Sequence, residues 1–169
     1  VVGAKENNLK ILEEILEKIE LPQNAYEIAK KRYEDLGEWL GREGSSLEFN
    51  DVHVFPQGSF RLGTAITPFH NHEDYDLDLN CKIRKGFSKN THSQFDLKEA
   101  LRIELEKYIH DRNIKKDLEE KHRCWTIEYK DRLSFHMDIV PSLPLDEKYR
   151  STINESINQL NIINKNISY

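Results

Sequence analysis

The feature that most constrains this chain is the run from Tyr75 to Ile83, where apolar and polar side chains alternate without a break. A period of two predicts a β-strand with one buried face. Tyr75, Leu77 and Leu79 take that face, and Asp76 and Asp78 project together from the other. A second alternating run, Phe135-His136-Met137-Asp138-Ile139-Val140, ends at Pro141 and puts Asp138 on one face with His136 and Val140. If the two strands are neighbours, three carboxylates meet on one open face.

The remaining patterns supply the frame for such a sheet. Leu9, Leu12, Ile15, Leu16 and Ile19 recur at helical spacing before Pro22. A second helix is expected from about Asn24 to Arg42, with Ile28, Ala29, Tyr33, Leu36, Trp39 and Leu40 on one stripe. Val52, Val54 and Phe55 suggest a short strand into Pro56. Gln57-Gly58-Ser59 then reads as a turn, and Phe60 to Gly63 as a short helix. A third long helix is expected over about Asp96 to His110, and a strand over Cys124 to Tyr129, followed by a turn at Lys130-Asp131-Arg132. After Pro144 the signals weaken. The expectation is an α+β domain with one mixed β-sheet packed by helices and preceded by two N-terminal helices.

Composition narrows the function classes. At 37% apolar and 33% charged residues the chain fits a globular domain. No apolar run approaches the ~20 residues of a membrane-spanning helix, and the opening Val1-Val2-Gly3-Ala4 lacks the n- and h-regions of a secretion signal. Cys81 and Cys124 are too few for a disulfide framework and are expected as reduced core thiols of a cytoplasmic protein. The formal charge of −5 argues against a protein that coats nucleic acid.

Three clustered carboxylates need a physical cause. Two like charges ~4 Å apart repel by ~1 kcal/mol in water and ~4 kcal/mol at an effective dielectric of 20. Cations can offset that cost. Mg²⁺ favours carboxylate oxygens together with substrate phosphates, and two such ions clamp the attacking and leaving oxygens of a phosphoryl displacement. Asp-x-Asp suits bridging both ions, although the pair is also common on solvated strands. Gly58-Ser59 adds weight upstream: glycine admits close backbone approach, and free N–H groups at a helix start favour phosphate.

The stretches Pro56 to Thr64, Asp74 to Leu79 and His136 to Pro141 together resemble the DNA polymerase beta-like nucleotidyltransferase superfamily. Their nearest likeness is to the bacterial enzymes related to cyclic GMP–AMP synthase and oligoadenylate synthase, the CD-NTases of CBASS anti-phage defence. The resemblance implies a catalytic lobe that joins nucleoside triphosphates with release of pyrophosphate and makes a cyclic or linear oligonucleotide signal. It implies Mg²⁺ or Mn²⁺ on Asp76, Asp78 and Asp138, with Asp138 assisting deprotonation of the ribose hydroxyl. Gly58 and Ser59 would hold the triphosphate, flanked by Gln57 and Arg61, and Asp74 would support the pair from behind. Regulatory or effector proteins of a defence operon are the implied partners.

By the same resemblance, residues 1–50 are leading helices, 51–144 the catalytic sheet core, and 145–169 the connection to a helical lobe beyond Tyr169. Two other functions stay open: transfer of a nucleotide to a protein, RNA or small molecule, and an inactive nucleotide-binding scaffold.

Several residues have plainer readings. Lys82, Arg84, Lys85 and Lys89 are expected on a solvated strand end, and Trp39 and Trp125 in the core. His70-Asn71-His72 lacks the cysteines of a zinc site. His136 either orients a substrate or serves as a hydrogen-bonded structural histidine.

Overall fold

A computed structural model describes residues 2–70, 73–130 and 133–167. Helices α1 (Val2–Ile19) and α2 (Gln23–Gly41) lead into strand β1 (Val52–Pro56) and the short helix α3 (Gly58–Leu62). Strand β2 (Tyr75–Ile83), helix α4 (Gln94–Asp111), strands β3 (Glu119–Glu120), β4 (Trp125–Tyr129) and β5 (Phe135–Ser142), and helix α5 (Glu147–Ile167) follow.

The strands form one sheet in the order β1-β2-β5-β4-β3. Only β2 and β5 run parallel; the other neighbours are antiparallel. The alternation read from the sequence decides which face is covered. Leu77, Leu79, Cys81 and Ile83 of β2 and Phe135, Met137 and Ile139 of β5 are buried in one core with Leu36 and Leu40 of α2 and Leu101, Leu105 and Tyr108 of α4. Every second residue of β2 and β5 therefore points to the uncovered face.

A buried acid ties the two packing helices together. Glu104 of α4 has no exposed side-chain surface and accepts from Arg42 (2.9 Å), the Ser46 amide (3.0 Å) and Lys107 (2.7 Å). Burial opposes its charge, but these donors outweigh it and hold its pKa at about 2. Helix α4 starts on a reciprocal cap in which Ser93 and Asp96 satisfy each other's backbone amides.

The structure differs from the sequence expectations in four places. Helix α1 begins at Val2, and its apolar stripe is half exposed, with Leu9 at 59% and Leu16 at 58%. Helices α2 and α4 supply the core side chains that cover the sheet, and the end of α1 is tied to the segment after α3 through a Glu20–Ile66 bridge and the Thr67 amide donating to the Ile19 carbonyl. Helix α5 occupies the segment expected to be a weakly patterned connection. Strand β3 has two residues and no readable period. Strand β5 continues through Pro141, because its pairing with β4 ends at Ile139 and the proline needs a partner on one side only.

Candidate active site

The parallel register sets Asp78 directly beside Asp138, and Asp76 beside His136. All four side chains lie on the uncovered face, as their parity requires. Asp76 is the most exposed, at 83%; the Asp138 side chain is 27% exposed. Burial, then the charges of Asp138 and Asp76, push the Asp78 carboxyl above its ordinary value, and the Lys121 ammonium offsets part of this.

Lys121 lies between β3 and β4 and donates to both oxygens of Asp138, at 3.0 and 3.1 Å. Thr126 Oγ1 donates to the same carboxylate at 2.6 Å. Burial works against the lysine's charge, but Asp138 prevails and raises its pKa. Sequence patterning gave no signal for Lys121, because it lies outside any periodic run; only the β3–β4 pairing brings it to the acids.

The Gly-Ser segment reaches the same place from the other side. The Gln57 amide donates to the Asp78 carbonyl at 2.8 Å, so the start of α3 is pinned to β2. Gly58 has φ +58°, and a Cβ there would lie 2.5 Å from Asp78 Oδ2. Both the left-handed backbone and the close approach require glycine. The expected turn is thus the first turn of α3. Ser59 lines a cavity of about 590 Å³ together with Asp74, Asp76 and His136. Gln57 and Arg61 do not line it; the Arg61 guanidinium instead sits 5.6 Å from the Phe55 ring centre.

A second acidic group adjoins the first. His136 Nε2 is 2.8 Å from Asp74 and 3.0 Å from Glu128, and Lys130 Nζ bonds both acids, at 2.5 and 2.8 Å. Hydrogen bonds from Lys130, His136 and Lys116 hold the Glu128 carboxyl at about 2. Among the described residues, Asp74, Glu128 and His136 are the set whose ligand atoms all lie within 4.8 Å of one another. Their charge is nonetheless already balanced by lysines. His136 is thus a hydrogen-bonded structural histidine in this arrangement. Asp76, Asp78 and Asp138 offer hard oxygen donors with one lysine among them, and that donor set fits a divalent cation.

The other sequence expectations sort simply. Arg84 pairs with Asp51 and Lys89 with Asp146, as a solvated strand end predicts. Trp125 is buried and donates to the Lys98 carbonyl; Trp39 is half-buried and donates to that of Glu104. Cys81 and Cys124 are buried free thiols, and burial pushes Cys81 up to about 12. Asn71 and His72, like Asp131 and Arg132 of the expected turn, lie outside the described residues. Among the described residues no helix is long and apolar enough to cross a membrane.

Residues 52–141, which hold the Gly-Ser segment and all three aspartates, match the cyclic GMP-AMP synthase DncV-like nucleotidyltransferase domain. The chain belongs to this family. It is 31% identical over 133 residues to the cyclic dinucleotide synthase CdnG of Bradyrhizobium diazoefficiens, covering 78% of this chain and 29% of that one. It is 27% identical over 130 residues to the c-di-GMP synthase of Roseivirga ehrenbergii, covering 77% and 32%. The solved structure of B. diazoefficiens CdnG in complex with GTP superposes with a TM-score of 0.63 at 30% identity, over 78% of this chain and 36% of that one. The chain thus spans about a third of the length of the curated relatives it matches. The mixed sheet with flanking helices is the polymerase beta-like fold of these CD-NTases.

Proposed function

We propose that this chain carries the metal-dependent catalytic site of a cyclic oligonucleotide synthase, with Asp76, Asp78 and Asp138 as metal ligands. The observation that carries the reading is the Asp78–Asp138 register pair with Gly58 packed against it. Two relatives named as cyclic dinucleotide synthases, one of them solved with GTP, support nucleoside triphosphates as substrates.

Bound Mg²⁺ or Mn²⁺ would neutralise charge on the triphosphate and the attacking ribose hydroxyl. The chain's own residues position and orient. Ser59 donates its hydroxyl to a phosphate oxygen in the cavity it shares with Asp76. Gly58 keeps the backbone low enough for that approach. Asp138, freed from Lys121, accepts the proton of the attacking hydroxyl, and pyrophosphate leaves. Gln57 and Arg61 act at the margin, since neither lines the cavity. Catalysis then rests on positioning and charge rather than on a covalent enzyme intermediate.

Several finer assignments belong to the same reading. They are a role in CBASS anti-phage defence, a cytoplasmic setting, and regulation by defence-operon proteins, supported by a neighbour solved as a CdnC:HORMA-deltaN complex. They also include a further helical lobe continuing from 145–169.

The test is nucleotide turnover by the full-length protein with all four triphosphates and Mg²⁺ or Mn²⁺, products identified by mass spectrometry. Asp138→Asn should lower turnover by roughly 100-fold or more. Undiminished turnover in that variant overturns the reading. A nucleotidylated protein or RNA in place of a cyclic product keeps the site and changes the acceptor.

A further inference from the structure

The acidic face is not where this molecule concentrates positive charge. A cleft of about 620 Å³ opens between α2, the end of α4 and β4. That volume lies within the ~300–1,000 Å³ of small-ligand sites. Among the described residues six cations line it: Lys31, Arg32, Arg112, Lys115, Lys116 and Lys130. They face two carboxylates among the described residues, Asp35 and Glu128, in a chain whose formal net charge is −5.

Both acids are already engaged. Arg112 holds Asp35 through two bonds of 2.8 and 2.6 Å, and Tyr108 donates to it at 2.9 Å. Glu128 receives Lys116, Lys130 and His136. Among the described residues Lys31 and Lys115 make no ion pair, and both are exposed at the rim. The floor is rigid. The Tyr108 and Tyr129 hydroxyls are 2.9 Å apart, and the Arg32 guanidinium lies 4.1 Å from the Tyr129 ring centre. The other lining cations being engaged within the fold, Lys31 and Lys115 give this concave surface positive charge that an anion can join.

We propose that this cleft binds a compact polyphosphate, at a site separate from the cavity beside Asp76. Its concavity and the position of its surplus cations favour a small anion. A nucleic acid laid across it would meet Glu34, Asp111 and Asp117, which are exposed beside the cleft residues in sequence. Both sources of the ligand's chemistry, inorganic polyphosphate and a nucleoside polyphosphate, present the same clustered phosphate oxygens to lysine and arginine.

The test is titration calorimetry on this chain with inorganic tripolyphosphate and, separately, ATP. Chelator removes divalent cations, so the acidic face repels both probes. Saturable 1:1 binding is expected, weakening as salt is raised. Lys31→Glu/Lys115→Glu should weaken it at least tenfold, and Lys31→Gln/Lys115→Gln by an intermediate factor, with unchanged melting temperatures as the folding control. Asp76→Asn and Ser59→Ala should leave the affinity within about twofold. Equal affinity for the two probes identifies inorganic polyphosphate as sufficient; tighter ATP binding adds a nucleoside contact. Absence of saturable binding, insensitivity to the lysine variants, or binding confined to duplex RNA or DNA overturns the proposal.

Discussion

Two acidic groups stand side by side on the open face of this sheet, and they are balanced differently. Asp74 and Glu128 are matched within the fold by Lys130, Lys116 and His136, and Glu128 is held at about 2. Among the described residues Asp76, Asp78 and Asp138 share one lysine, Lys121, with His136 4.0 Å from Asp76, and Asp78 is pushed up instead. The first group is a clamp that closes β4, β5 and the entry to β2. The second is left short of positive charge, which is the condition under which a metal and a triphosphate have something to contribute. Proximity of ligand atoms and charge balance thus single out different groups.

The largest effect that can break this contrast comes from Gly58. Gly58→Ala forces a methyl against Asp78 and strains a backbone at φ +58°. Turnover by the full-length protein should fall about 100-fold, as expected for a displacement near 1 Å at reacting groups. The loss of folding stability should be only about 1–2 kcal/mol. Wild-type turnover in that variant would mean the Gly-Ser segment is not part of the site.

Metal-dependent melting sharpens the comparison next. Mg²⁺ at about 100 times its dissociation constant should stabilise the wild-type chain by about 2.7 kcal/mol. That gain should vanish in Asp78→Asn and survive in Asp74→Asn. The reverse pattern would move the metal to the Asp74, Glu128 and His136 group.

The smallest effect is the opposite pH dependence of the two groups without metal. Glu128 has a depressed pKa, so its contribution is present above the usual carboxylate range and is lost as pH falls toward about 2. Asp78 has a raised pKa, so its contribution is present at low pH and is lost as pH rises through its own value. Glu128→Gln should therefore melt lower than wild type at about pH 7, with the gap closing in acid. Asp78→Asn should melt higher at about pH 8, with the gap closing as pH falls. Parallel melting profiles would show that the two groups do not differ in charge balance.

Legibility in the sequence follows the strength of each local period. The Tyr75–Ile83 strand was readable residue for residue, because alternation over nine positions admits one buried face. Helices α2 and α4 were readable to within two residues at either end. Strand β3 was not, because two residues cannot show a period. Helix α5 was missed because polar asparagines and serines dilute its apolar spacing, and Ile153 and Ile157 remain half exposed in the structure. At the site, the parity of Asp76, Asp78 and Asp138 was legible, but not the lysine among them or the arginine that turns toward Phe55.

By itself the sequence determined which side chains share a face, since β-strand geometry fixes parity within a single segment. It also determined that a glycine precedes the serine, leaving the backbone free to take a left-handed turn. Tertiary structure alone decided that β2 and β5 pair in the register that sets Asp78 against Asp138. It alone decided which lysine answers which acid, and that six cations of the described residues gather in one cleft of an acidic chain. The physical reason is range. Parity and turn chemistry are set by neighbours along the chain, whereas charge balance depends on residues brought together across dozens of positions by the burial of a common core.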